Sequence, residues 1–166
     1  MVWRDGCGSW DNSAMITLVR VDDRLLHGQV IHAWVPATRS DMLVVVAEES
    51  VHRILEKELS SLAAECGCEV KVFDDLGACS FLKDAALDNR RVMVVMSSIA
   101  EAEKIYKADF NYTTLNIGNI HHGDFKTRLS ASTMITEEEE KALERLRSHG
   151  VRVDVRALPE AEAGRA

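Results

Sequence analysis

Short runs of valine, isoleucine, leucine and methionine recur along this chain with no polar residue between them. Met42 to Ala47 and Val92 to Met96 are the plainest. A strand with one wet face alternates apolar and polar residues. A strand covered by helices on both faces does not, and that cover is found almost only in parallel sheets. Strands are expected over 16–22, 42–47, 69–73, 91–96, 113–118 and 151–156. Amphipathic stretches at 28–38, 51–65, 75–88, 99–108 and 136–149 read as the helices between them. This alternation predicts an α/β fold: an open, mainly parallel β-sheet with helices on both faces, in a single domain. Right-handed crossovers set its hand.

The chemistry concentrates just after the first strand, in Arg20-Val21-Asp22-Asp23-Arg24-Leu25-Leu26-His27-Gly28-Gln29-Val30. Val30, Ala33, Trp34 and Ala37 then follow at i, i+3, i+4, i+7, the spacing of one helix face. In an open α/β sheet the turn from a strand's carboxyl end into a helix is where ligands bind. A helix start also offers unpaired N–H groups and a positive dipole end, which suit phosphate. An imidazole titrates near pH ~6.5, so it is largely neutral and nucleophilic at pH 7 and can carry a covalent group between two partners. The Arg24 guanidinium suits phosphate oxygens. Asp22 or Asp23 can fix the tautomer of His27; the residues alone do not choose between them. Gly28 lets a phosphate approach the backbone, and Gly28 and Gln29 open the helix whose first-turn N–H groups face it.

A second polar island, Asn116 to Asp124, leaves the 113–118 strand and carries Gly118, Asn119, His121, His122 and Gly123. One reading is a turn with Gly118 and Gly123 at positive φ. The other is a loop beside His27 that donates to a phosphate or sugar. Ser97, at the end of the 91–96 strand, donates to phosphate or caps the next helix. Glu48 and Glu49 line the cleft or complement a helix dipole. Thr136 and Glu139 form a capping box, and Gly150 stops that helix, so the acidic run from Glu137 needs no metal to explain it. His32, His52 and His149 read as surface residues. Residues 1–14 are turn-formers without apolar period and read as an irregular extension. The domain is expected over 15–159, with 160–166 a tail.

Net charge is -7, which argues against nucleic acid as a partner. Hydrophobic residues make up 46%, yet the apolar runs are too short to span a bilayer. No basic flank with an apolar core marks a secretory signal. A cytoplasmic protein is expected, with Cys7, Cys66, Cys68 and Cys79 as reduced thiols and no metal site. There is no phosphate-binding loop of the GxxxxGK[ST] type, no GxGxxG after a strand and no GxSxG elbow.

The run Val19 to Val30, followed by Trp34, resembles the opening of the IIB subunits in the mannose/fructose/sorbose branch of the bacterial sugar phosphotransferase system. Leu115-Asn116-Ile117-Gly118-Asn119 resembles that family's Asn-x-Gly-Gly or Asn-x-Gly-Asn segment. The likeness spans roughly Met15 to Pro159. It implies that His27 accepts a phosphoryl group from a phosphohistidine on a IIA subunit and passes it to a sugar entering through membrane IIC/IID subunits. Arg24 would neutralise phosphate charge, Asp23 or Asp22 would orient the ring, and Gly28, Gln29, Asn116, Gly118, Asn119 and Ser97 would contact phosphate or substrate. No cofactor is implied. The partners are IIA, IIC/IID and the sugar, with contact to the membrane only through IIC/IID and a homo-oligomer left open. The rival readings are a regulatory module that senses phosphorylation without moving sugar, and a small-molecule enzyme using His27 and His121 as acid and base.

Overall fold

The computed structural model describes residues 15–83, 87, 89–121, 124 and 127–160. The expectations for residues 1–14, His122, Gly123 and 161–166 fall outside them. Among the described residues the central sheet has six strands. They are β1 (Met15–Val21), β2 (Met42–Val46), β3 (Glu69–Phe73), β4 (Arg91–Met96), β5 (Thr114–Ile117) and β8 (Arg152–Val155). Their order is β3-β2-β4-β1-β5-β8 and every pairing is parallel.

The unbroken apolar runs are explained by what covers them. Val92, Val94 and Met96 pack on one side of the sheet with Ile99, Ala102 and Ile105 of α4 (Ile99–Lys107), Ala78 and Leu82 of α3 (Asp75–Leu82), and Leu143 and Leu146 of α5 (Glu137–Ser148). Met93 and Val95 face the other way, against Val30, Trp34 and Val35 and the partly buried Val51 and Leu55 of α2 (Glu49–Cys66). Fully burying each such side chain is worth about 1.5–3 kcal/mol, so both faces of β2 and β4 are committed.

β1 lies between β4 and β5. From β1 the chain travels toward β2, and from β5 it travels the opposite way toward β8. Neighbouring strands whose connections diverge leave a crevice at their carboxyl ends, and the loops carrying His27 and Asn119 both open there.

Three expectations change. Helix 28–38 is a π-helical turn, Gln29–Trp34, running into a short α1, Val35–Thr38. The Val35 N–H donates to Val30 O, five residues back. Pro36 has no N–H for the carbonyl of His32, where an α-helix would need one. The wider turn brings Val30, Ile31, Trp34 and Val35 inward, while Ala37 is exposed and Ala33 half-buried. Helix 75–88 ends sooner, at Leu82, where the Lys83 N–H turns back to Ser80 O. A hairpin absent from the reading of the sequence, β6 (Thr127–Ser130) with β7 (Thr133–Ile135), follows the second polar island. Its strands are too short to show a period, and Ala131-Ser132 between them lacks the usual hairpin-turn residues. α5 matches expectation: Thr136 and Glu139 complete the capping box.

Candidate functional site

Arg20 and Asp22 are two apart on β1 and its exit, so their side chains leave the same face of the strand. Both are fully buried, and Arg20 Nη2 donates to Asp22 Oδ2 at 2.7 Å. A buried ion costs several kcal/mol unless it is paired and its other donors are met. Arg20 Nη1 donates to Asn116 Oδ1 and to the Arg156 carbonyl, and Nη2 also reaches the Ala157 carbonyl at 3.2 Å, while Nε meets no partner among the described residues. The Trp34 ring lies 4.9 Å under the guanidinium, and its Nε1 donates to the same Ala157 carbonyl.

Asp22 hands this order on to His27. Its Oδ1 lies 3.0 Å from His27 Nε2 and accepts the Arg24 backbone N–H at 3.3 Å. The carboxylate stands beside, rather than in line with, that ring nitrogen's N–H direction. Asn119 Nδ2 donates to Asp22 Oδ2 at 3.0 Å and to Gln29 Oε1 at 2.8 Å. Burial pushes the Asp22 carboxyl up. The Arg20 charge and the contacts with His27 and Asn119 outweigh it, and the group sits below the ordinary carboxylate range. His27 Nδ1 and Nε2 are both shielded from solvent, and neither makes a hydrogen bond among the described residues. An ionised carboxylate only accepts, so it favours the tautomer with the proton on Nε2 and the lone pair on Nδ1.

The two aspartates are thus distinguished. Asp22 faces His27. Asp23 turns to the second island, where its Oδ2 accepts the His121 backbone N–H at 2.6 Å and lies 3.5 Å from His121 Nδ1. Of the two carboxylates, Asp22 is the one placed 3.0 Å from the His27 ring. The reason is the tight turn in which the Leu25 N–H returns to Asp22 O, with Leu25 at φ 49°. Arg24 is exposed at the tip of that turn.

The second island lies against the first. The Asp23 N–H donates to Asn119 O, and the Gly118 N–H to Val21 O. Gly118 does not have positive φ. It is glycine because a Cβ would overlap the Arg20 guanidinium, meeting three of its atoms of which the farthest, Nη1, is at 2.8 Å. The unforeseen hairpin braces this loop: Thr133 Oγ1 donates to Gly118 O, and Ile120 pairs with Thr133.

Other candidates are placed elsewhere or bonded otherwise. The Ser97 hydroxyl donates to Glu101 Oε2 at 2.9 Å, and Ser98, not Ser97, caps α4. Asp22 N donates to Met96 O, which keeps Ser97 on the same sheet edge. Glu48 is the N-cap of α2, and Glu49 pairs with Arg53 one turn on. His32 is exposed and pairs with Glu65. Among the described residues no group of three or more His, Cys, Asp or Glu converges as a metal site. Sequence reasoning missed Arg20. The signal was available: a lone cation in an apolar strand, with a carboxylate two residues on, must be paired.

Residues 16–165 match the family model described as PTS system sorbose subfamily IIB component. The chain belongs to this family. Its members are the sugar-specific IIB components, which transfer phosphoryl groups in sugar uptake. The sorbose-specific EIIB component of Lacticaseibacillus casei is 29% identical over 87% of this chain and 88% of its own length. The mannose-specific EIIAB component of Escherichia coli is 26% identical over 87% of this chain and 45% of that longer protein. Among solved structures, the IIBSor domain of the sorbose permease from Klebsiella pneumoniae superposes with a TM-score of 0.80 at 22% identity, covering 90% of this chain and 91% of that one. Its likeness supports the fold. Among the described residues no helix is long and apolar enough to cross a membrane.

Proposed function

We propose that this chain is a phosphocarrier in which His27 accepts a phosphoryl group from a phosphohistidine of a IIA partner and donates it to a sugar. The observation that carries the reading is the Asp22 carboxylate 3.0 Å from His27 Nε2, which leaves Nδ1 as the ring nitrogen away from it, at the carboxyl edge of a IIB-type sheet. The Nδ1 lone pair attacks phosphorus in line. The N–P bond of the donor breaks and its electrons return to the donor imidazole. The proton on His27 Nε2 stays, facing Asp22. The second transfer reverses these roles, with a sugar hydroxyl as acceptor. Positioning and charge stabilisation supply the rate. Arg24 swings in from the surface to meet the phosphoryl oxygens, joined by first-turn N–H groups near Gly28 and Gln29. Asn116, Gly118 and Asn119 act from behind, holding Arg20 and Asp22 rather than touching phosphate. The donor is a IIA subunit, as the fused EIIAB relative suggests. The acceptor is sugar presented by IIC/IID subunits, which leaves the chain cytoplasmic and at the membrane only through them.

The test is phosphorylation by a phosphorylated IIA protein of the same system. One phosphate per chain is expected, labile in acid and stable in base, as an N–P bond is. His27→Ala abolishes it. Label that persists in His27→Ala and disappears with His121→Ala overturns the assignment.

A further inference from the structure

We infer that Arg20 is a positioning residue for phosphoryl transfer: it holds Asp22 as a carboxylate, and through it keeps the proton of His27 on Nε2 and the lone pair on Nδ1. The inference rests on the proposed transfer through His27 and adds the residue that governs the ring.

The geometry is more than a buried ion pair. Arg20 is fully buried, and four groups from three parts of the chain converge on it: Asp22, Asn116, and the adjacent carbonyls of Arg156 and Ala157. Trp34 stacks beneath it, and Gly118 lacks the Cβ that would displace it. The guanidinium therefore cannot follow phosphate out to the surface. Its reach ends at Asp22 Oδ2, whose other oxygen faces His27.

The charges around Asp22 can be named. Arg20 comes from β1 and His27 from the loop that follows. Asn119, from the second island, is neutral. Asp154 of β8 lies behind Asn116 and is itself paired with Arg156. Asp23 is turned to His121. Arg20 is the cation nearest the carboxylate and offsets a burial that by itself favours the neutral acid. Without Arg20, Asp22 takes a proton at higher pH. A protonated carboxyl donates to Nε2, which sends the ring proton to Nδ1 and removes the attacking lone pair. In the phosphorylated protein the same change lets the Nε2 proton pass to the Asp22 carboxylate, and the neutral ring that remains is a poorer leaving group. Both half-reactions then lose their acid side: acceptance, in which an N–P bond forms at Nδ1 as the donor's breaks, and donation, in which the His27 N–P bond breaks toward the sugar oxygen as the hydroxyl loses its proton to solvent.

The experiment uses the full chain with a phosphorylated IIA donor. Transfer is timed across pH in wild type, Arg20→Lys and Arg20→Met, with thermal melts for each. Arg20→Met is expected to slow acceptance roughly 10–100-fold near neutral pH and to move the acid limb of the rate profile up by about 1–3 units. Arg20→Lys keeps the charge but not the fork, and restores the limb with only part of the rate. Nitrogen-15 spectra of the histidines give a second readout in wild type alone: neutral His27 with a protonated Nε2 and a bare Nδ1. Arg20→Met that folds and keeps the wild-type limb overturns the inference, as do Arg20→Lys at the full wild-type rate and a wild-type ring protonated on Nδ1. If Arg20→Met does not fold, Arg20→Lys and the wild-type spectra decide. Failure of wild type to accept phosphate on His27 overturns the transfer reading instead, and the spectra still judge the tautomer.

Discussion

Gly118 and Arg20 occupy one another's space: the guanidinium lies where the glycine's Cβ would be, and the Gly118 N–H bonds to Val21 O one residue along from Arg20. Gly118→Ala is therefore a packing change and not a backbone one. Overpacking of this kind costs about 1–3 kcal/mol. The expected outcome is a lower urea midpoint together with slower transfer, since the arginine must move from Asp22 to make room. An unchanged midpoint would mean that Arg20 has another resting place.

Asp22 and Asp23 are expected to separate in function as they do in space. Asp22→Asn should slow transfer by as much as ~10⁴-fold, the scale set when an orienting carboxylate becomes an amide and the tautomer is lost. Asp23→Asn should cost far less, because its oxygen serves the His121 backbone. Equal losses in timed assays with the IIA donor would refute the division.

Arg24 is exposed, so Arg24→Ala should leave stability within about 0.5 kcal/mol of wild type. Transfer should slow by roughly 10²–10³, the cost of one preorganised charged contact. Arg24→Lys should recover part of the rate. Melting curves and transfer rates on the same samples check both halves.

The shielding of His27 has a kinetic signature. Its side chain is 8% exposed, against 55% for His121. Diethyl pyrocarbonate should modify His121 first and His27 only as the loop opens. An opening free energy of about 1.4 kcal/mol already slows His27 tenfold. Peptide mapping against time measures it, and equal rates would show that the loop is open in solution.

Away from the site, Arg145 of α5 holds Glu103 of α4 through two hydrogen bonds, and Lys107 adds a third contact. Chiefly through Arg145, the Glu103 carboxyl is brought down to about 2. A depressed folded value adds stability above the unfolded value of about 4.3, and that stability is lost as pH falls toward 2. Glu103→Gln should flatten the fall in stability over that window. Urea unfolding at a series of pH values reads the slope directly.

The sequence by itself determined the sheet, the crevice and the place of His27 at its edge. Unalternated runs such as Met42–Ala47 can only be strands covered on both sides, and a histidine between a strand and a helix start lies where such sheets bind ligands. These are local signals, carried by period and residue type. The caps of α5 were legible for the same reason: a capping box needs only residues three apart. What tertiary structure alone decided is which groups meet across long stretches of chain. Asp22 and Asp23 are neighbours with the same side chain, and only the turn at Leu25 and the docking of Asn119 assign them different partners. Gly118 read as a turn residue until Arg20 filled its missing Cβ, 98 residues away in sequence. The β6–β7 hairpin carried no pattern because its strands are three and four residues long. Its stability comes from burying Thr133 and Ile135 against the loop it braces, a contact that exists only once the chain is folded.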